Sequence, residues 1–183
     1  MKIVNKGNEL DKQLEQLFQL AQHIRAPFLE QAIFIEKLIE DIIAKHFCPE
    51  EERRTLFFSL VINGTELTFS SKIDILDRLL QLCYPIVVKS YPQLINEIQK
   101  IRRFRNRVAH ALLDTSETFL SHNYNDRIQL IYYEDGQTKQ QVVMTTEIEE
   151  RLRECTKVVK VLVEIQEKIT KRESSSETLV KAA

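Results

Sequence analysis

The stretch Ile101-Arg102-Arg103-Phe104-Arg105-Asn106-Arg107-Val108-Ala109-His110 concentrates cations, an imidazole and a carboxamide more densely than any other part of the chain. Between Glu97 and Asp114 no acid offsets Lys100 and the four arginines. The chain as a whole carries a net charge of only −1, so any affinity for phosphate must come from this local cationic field. A guanidinium holds nonbridging phosphate oxygens in a fork as charge develops on them. Imidazole, with an ordinary pKa of about 6.5, moves protons near neutrality. Together these groups suit the binding of a phosphate and the transfer of protons beside it.

One helix has to carry those side chains. Over residues 94 to 112, a step of 100° per residue gathers Leu94, Ile98, Ile101, Val108 and Leu112 into an apolar stripe about 80° wide. Arg105 falls in the middle of that stripe, where a guanidinium must be paired, must snorkel or must face a polar crevice. Glu36, Glu40 and Asp41 on an earlier helix are candidate partners. The opposite face carries Arg103, Asn106 and His110, flanked by Arg107 and Arg102. Five residues apart, Arg105 and His110 diverge by about 140°. A site using both therefore needs a second copy of the chain, a distorted helix, or a long arginine reaching round.

Composition sets the surroundings. With 43% hydrophobic and 29% charged residues in 183 positions, the chain is expected to form one globular domain with its own core. Glycine (three) and proline (four) are scarce while Leu, Ile, Glu, Lys and Gln are abundant, which predicts a mainly α fold. Cys48, Cys83 and Cys155 are widely spaced with no CxxC pair, as expected of reduced thiols in a cytoplasmic protein. No apolar run approaches the roughly 20 residues that span a bilayer, so no membrane association is expected. GxGxxG, Walker, GxSxG and HExxH patterns are absent, which removes support for nucleotide binding and for the hydrolases those patterns mark.

Along the chain, apolar spacing predicts a helix over 8–25, a break or helix start at Pro27, and an apolar core helix to Phe47. Pro49 and Glu50 to Glu52 read as a helix start rather than a metal site, and Asn63-Gly64 as a turn. Ser71 and Asp74 resemble a cap ahead of a helix ending near Cys83 or Pro85, and the motif helix is placed from about Pro92 to Leu113. A polar connection over 114–126 leads to residues 127–133 and 139–145, which flank Asp135-Gly136 and should pair as a hairpin. Thr146-Glu147-Ile148-Glu149 then launches a last long helix, and the Ser-rich tail over 173–183 has too little apolar surface to demand order.

Arg105-Asn106-Arg107-Val108-Ala109-His110, set between helices, resembles the motif of the HEPN superfamily, the helical domains of many prokaryotic toxin, abortive-infection and antiphage proteins. The likeness covers six residues directly and helix order over about residues 8 to 172 loosely. It implies a HEPN-like helical bundle with a β-hairpin inserted before the last helix, and a metal-independent endoribonuclease without cofactor or metal. It also implies a homodimer whose motifs meet, RNA as substrate, and an antitoxin protein as a partner. By this resemblance Arg105 stabilises the phosphate, His110 is the general acid/base and Asn106 orients them, while Arg102, Arg103 and Arg107 bind RNA. Some members carry a tyrosine two residues after the histidine, where this chain has Leu112. Tyr124, Tyr132, Tyr133 and the loop residue His122 are the alternatives within reach of sequence, none of them placed by it.

Two competing readings stand beside that one. In the first, the domain binds RNA or a partner protein through the Arg102, Arg103 and Arg107 face without cutting. In the second, Arg105 is an ion-paired core residue and His110 a satisfied helix end. His23 and His46 lack a second ligand at useful spacing and read as surface or core-edge residues.

Overall fold

The computed structural model describes residues 6–64, 66–121 and 126–180, and the side chains of 10–64, 66–121 and 126–170 among them. The elements run α1 (Lys6–Phe47), α2 (Glu51–Phe57), a π-helical turn (Phe58–Ile62), α3 (Phe69–Cys83), α4 (Pro85–Ser90) and α5 (Leu94–His110). Then follow β1 (Leu112–Leu113), α6 (Glu117–Leu120), β2 (Arg127–Glu134), β3 (Gln137–Met144) and α7 (Thr145–Val180). The fold is mainly helical, with a small three-stranded antiparallel sheet ahead of the last long helix. Contacts divide the chain into two compact units, Met1–Gln31 with Arg103–Arg153 and Ala32–Arg102 with Glu154–Ala183, so α1, α5 and α7 each change unit part-way.

In the first unit α1 runs straight through Pro27, where the sequence predicts a break or a start. A proline inside a helix forfeits one backbone hydrogen bond and crowds the preceding turn, at about 3 kcal/mol. Leu17, Ala21, Ile24 and Phe28 are buried along one face on both sides of it. Each large apolar side chain buried contributes roughly 1.5–3 kcal/mol, which outweighs the defect. Phe28 meets Phe104 of α5 edge to face, ring centres 4.8 Å apart at 83°, and Val108 and Ala111 extend the same buried face.

Helix α5 stops at His110, earlier than the predicted Leu113, because Leu112 and Leu113 pair with Ile131 and Leu130 as β1. Pairing as a strand turns Leu112 out of the predicted apolar stripe, and it is 72% exposed. Asp114 then closes the connection: Oδ1 accepts from the Ser116 amide at 2.9 Å and Oδ2 from Gln129 Nε2 at 2.9 Å. Ser116 caps α6 through the Phe119 amide.

The hairpin forms where Asp135-Gly136 directs it, with β2 paired to β3 from Arg127↔Met144 to Glu134↔Gln137. Both turn residues have positive φ, 53° and 76°, the conformation whose twist matches that of the flanking strands. Alternation sorts the side chains. Ile128, Leu130 and their cross-strand neighbour Val143 are buried, so Tyr132, Glu134, Lys139 and Gln141 continue that same face toward the turn. Helix α7 begins at Thr145, whose amide and hydroxyl both donate to Asp126 O at 2.9 Å.

The second unit is helical. Ile35, Ile39, Ile42 and Ile43 of α1, Ile73, Leu76 and Leu80 of α3, Ile98 and Ile101 of α5, and Cys155, Leu162 and Ile165 of α7 are all buried. Helix α3 starts earlier than the Ser71 and Asp74 pattern predicts, with Thr68 as its cap, accepting from the Ser71 amide at 3.2 Å. Lys72 is buried with Glu36 Oε1 at 2.8 Å and Glu40 Oε1 at 2.6 Å, and Glu40 also takes Lys37 at 2.7 Å. Asp41 holds Lys45 at 2.7 Å and accepts from Gln166. The three acids named as candidate partners for Arg105 are therefore engaged with lysines.

Candidate nucleic-acid cleft

Arg103, Asn106, Arg107 and His110 stand at positions i, i+3, i+4 and i+7 of α5, a spacing that sets four side chains on one helical face. All four line a cleft of about 590 Å³ in the first unit, whose other wall is Tyr132, Tyr133 and Glu134 of β2. His110 and Arg103 are exposed to it, and Asn106 and Arg107 are half-buried. Arg107 is held in two ways, by Nη1 donating to Gln141 Oε1 at 3.0 Å and by stacking over the Phe104 ring at 5.6 Å. That ring also carries Arg151 at 5.3 Å. The base of the site is anchored to α1, where Arg25 Nη2 donates to the carbonyl of Ala111 at 3.3 Å, one residue past His110. Burial pushes the Arg25 guanidinium below its ordinary value.

Arg105 does not line the cleft. Its Nη1 donates to Asn106 Oδ1 at 3.1 Å, which occupies the amide oxygen and leaves the Asn106 NH2 as a donor. Arg102 belongs to the second unit, where its Nε donates to Gln99 Oε1 at 2.9 Å. Of the six motif residues singled out by sequence, four therefore share the cleft, Arg105 bonds to one of those four without lining it, and Arg102 is engaged elsewhere on the helix. His122 and Tyr124 lie outside the described residues.

The hairpin wall is what sequence reasoning did not place. Tyr133, two residues past Ile131, the strand partner of Leu112, lies on the same sheet face as Leu112, while Tyr132 lies on the opposite face with Leu130. Tyr133 is 74% exposed. Glu134 pairs with Lys139 at 2.8 Å, and Lys139 also approaches Asp135 at 3.6 Å. The Lys139 ammonium holds the Glu134 carboxyl below the usual carboxylate range, with a smaller contribution from Arg107. The signal that would have found Glu134 was present. A two-residue Asp-Gly turn fixes the register, and buried Ile128 and Leu130 then identify the face that Tyr132 and Glu134 must share.

No family model, curated protein or solved structure matches the chain. The groups themselves define what the cleft can do. Two guanidiniums, an amide donor, two phenols, an imidazole and one carboxylate line one concavity, with cations outnumbering the acid, which suits a phosphodiester and the movement of protons around it. Among the described residues no group of three or more His, Cys, Asp or Glu is placed to hold a metal ion, and no helix is long and apolar enough to cross a membrane.

Proposed function

We propose that this cleft is the site of a metal-independent endoribonuclease of HEPN type, acting in toxin or antiphage defence. His110 transfers a proton, Arg103 and Arg107 hold the scissile phosphate, and Asn106, oriented by Arg105, donates to it. Tyr132 and Tyr133 offer the hydroxyl that Leu112 does not. The observation carrying this reading is that His110 opens on the same cleft as Arg103 and Arg107, so a proton-transfer group and phosphate-binding groups face one volume. The resemblance adds a second protomer and an antitoxin protein as partners. A second copy would also allow an Arg105 to reach the phosphate from the opposing chain.

One observation favours a second reading, in which the cleft binds RNA or a protein without cutting: Arg105 is engaged with Asn106 instead of lining the cleft. Incubating RNA with the purified chain in EDTA, with wild type, His110→Ala and Arg105→Ala side by side and the product ends mapped, separates the two. The nuclease reading expects 2′,3′-cyclic phosphate ends and a loss of about 10²–10⁴-fold in His110→Ala. Tight RNA binding with no cleavage, or cleavage indifferent to His110→Ala, would leave the binding module.

A further inference from the structure

Cleavage at a ribose phosphodiester moves two protons, and of the α5 side chains that line the cleft only His110 is suited to that work at neutral pH. The second candidate comes from the hairpin. Glu134 lines the same cleft, on the β2 face it shares with Tyr132 and with buried Leu130 and Ile128. Resting on the nuclease reading above, we infer that Glu134 is the general base of the cleft and His110 its general acid.

The step balances without any further reagent. Glu134 takes the proton of the 2′-hydroxyl as the 2′-oxygen bonds to phosphorus. The bond from phosphorus to the 5′-oxygen breaks, and that oxygen takes the proton of the His110 imidazolium. The products are a 2′,3′-cyclic phosphate and a 5′-hydroxyl, and both side chains regain their starting states by exchange with water.

The charged surroundings of Glu134 keep it in the ionised form a base needs while lowering its basicity, so its place in the cleft beside His110 is what assigns it the role. Lys139 on β3 holds it at 2.8 Å and is itself shared with Asp135 at 3.6 Å. Arg107 attracts it from α5, and Arg103, His110, Tyr132 and Tyr133 complete the titratable and charged groups of the cleft. Lys139 and Arg107 keep the carboxylate ionised, while Arg103 and Arg107 together outweigh its repulsion of phosphate.

The test uses two substrates in EDTA: an RNA oligonucleotide, and uridine 3′-(p-nitrophenyl phosphate), whose leaving phenolate departs without an acid. On the oligonucleotide, E134Q and His110→Ala should each slow cleavage by about 100-fold or more. On the nitrophenyl ester, His110→Ala should recover most of its rate and E134Q should not. E134D, which keeps a carboxylate, should retain part of the activity, and affinity for an uncleavable 2′-deoxy analogue should hold or tighten in E134Q. E134Q cutting at the wild-type rate would reduce Glu134 to one half of a hairpin ion pair while leaving the nuclease intact. A rate loss matched by an equal loss of affinity for the analogue would equally overturn the base assignment. Wild-type protein that cuts neither substrate would remove the nuclease reading, and this inference with it.

Discussion

Lys72 in the second unit and Arg103 with Arg107 in the first are cations placed in opposite ways. Lys72 is 6% exposed and meets two carboxylates, Glu36 at 2.8 Å and Glu40 at 2.6 Å. Arg103 and Arg107 line an open cleft whose one lining acid, Glu134, is engaged by Lys139. A buried charge has to carry its counter-charges in with it, because taking it out of water unpaired costs several kcal/mol, roughly. A cation on the wall of an open cleft keeps its water and can exchange it for an anion arriving from outside. Local charge excess alone therefore does not separate structure from function. What separates them is whether the acids are supplied by the fold or left to a ligand.

Removing Lys72 should break the first arrangement outright. Lys72→Ala leaves half-buried Glu36 without its cation and buried Glu40 with exposed Lys37 alone, and deleting one partner of a buried ion pair costs at most about 3–5 kcal/mol. Chemical denaturation should show that loss, while RNA affinity of the molecules still folded stays at the wild-type value. If affinity fell in step with stability, the two clusters would not be separable in the way their geometry indicates.

Arg103→Ala should do the reverse. The side chain is exposed, so stability should change by no more than about 0.5 kcal/mol. Binding should weaken about tenfold, or about 1.4 kcal/mol, and the slope of log affinity against log salt should flatten by about 0.7, the value of one phosphate contact on a single strand. An unaltered salt slope would show that Arg103 does not meet phosphate. Arg107→Ala should flatten the slope equally and also loosen the hairpin wall, since Arg107 ties α5 to Gln141 of β3.

The hairpin wall gives a smaller effect with a backbone cause. Gly136 sits at φ 76°, and a Cβ added there would meet only Tyr133 Oη at 3.9 Å, an ordinary contact. Gly136→Ala should therefore cost about 1 kcal/mol through the left-handed backbone alone, read as a lowered unfolding midpoint. A cost several times larger would mean that the turn itself is packed against something.

Much of this organisation was readable from residue spacing. The face holding Arg103, Asn106 and His110 follows from the period of 3.6, and the hairpin register follows from Asp135-Gly136 between two β-rich runs. What spacing hid was decided by pairing at longer range. Pro27 looks like a boundary until the buried residues on both sides of it are known to share one helix face. Leu112 belongs to the apolar stripe until β2 pairs with it. Arg105 looks like a core charge needing an acid, but its partner is the adjacent amide of Asn106, while Glu36 and Glu40 had already been claimed by Lys72, 36 and 32 residues away. Helical period places a side chain on a face, whereas the partner it finds depends on which other elements arrive there.

The buried cluster should also leave a mark in alkali. Burial alone would push Lys72 down, but the hydrogen bonds it donates to Glu36 and Glu40 and their negative charge outweigh it, so its folded value lies above the ordinary 10.5. The folded chain thus holds this proton more tightly than the unfolded chain, and protonation favours folding. The contribution is complete below the ordinary value and is withdrawn as pH rises through the raised one. Against Lys72→Met, which has no proton to lose at this position, the stability advantage of wild type should stay level up to about pH 10 and narrow above it. Other lysines and tyrosines titrate in both proteins and cancel in the difference. An advantage that began to shrink well below pH 10 would mean that Lys72 is held less firmly than its two carboxylates indicate, and the contrast with the open cleft would lose its sharper half.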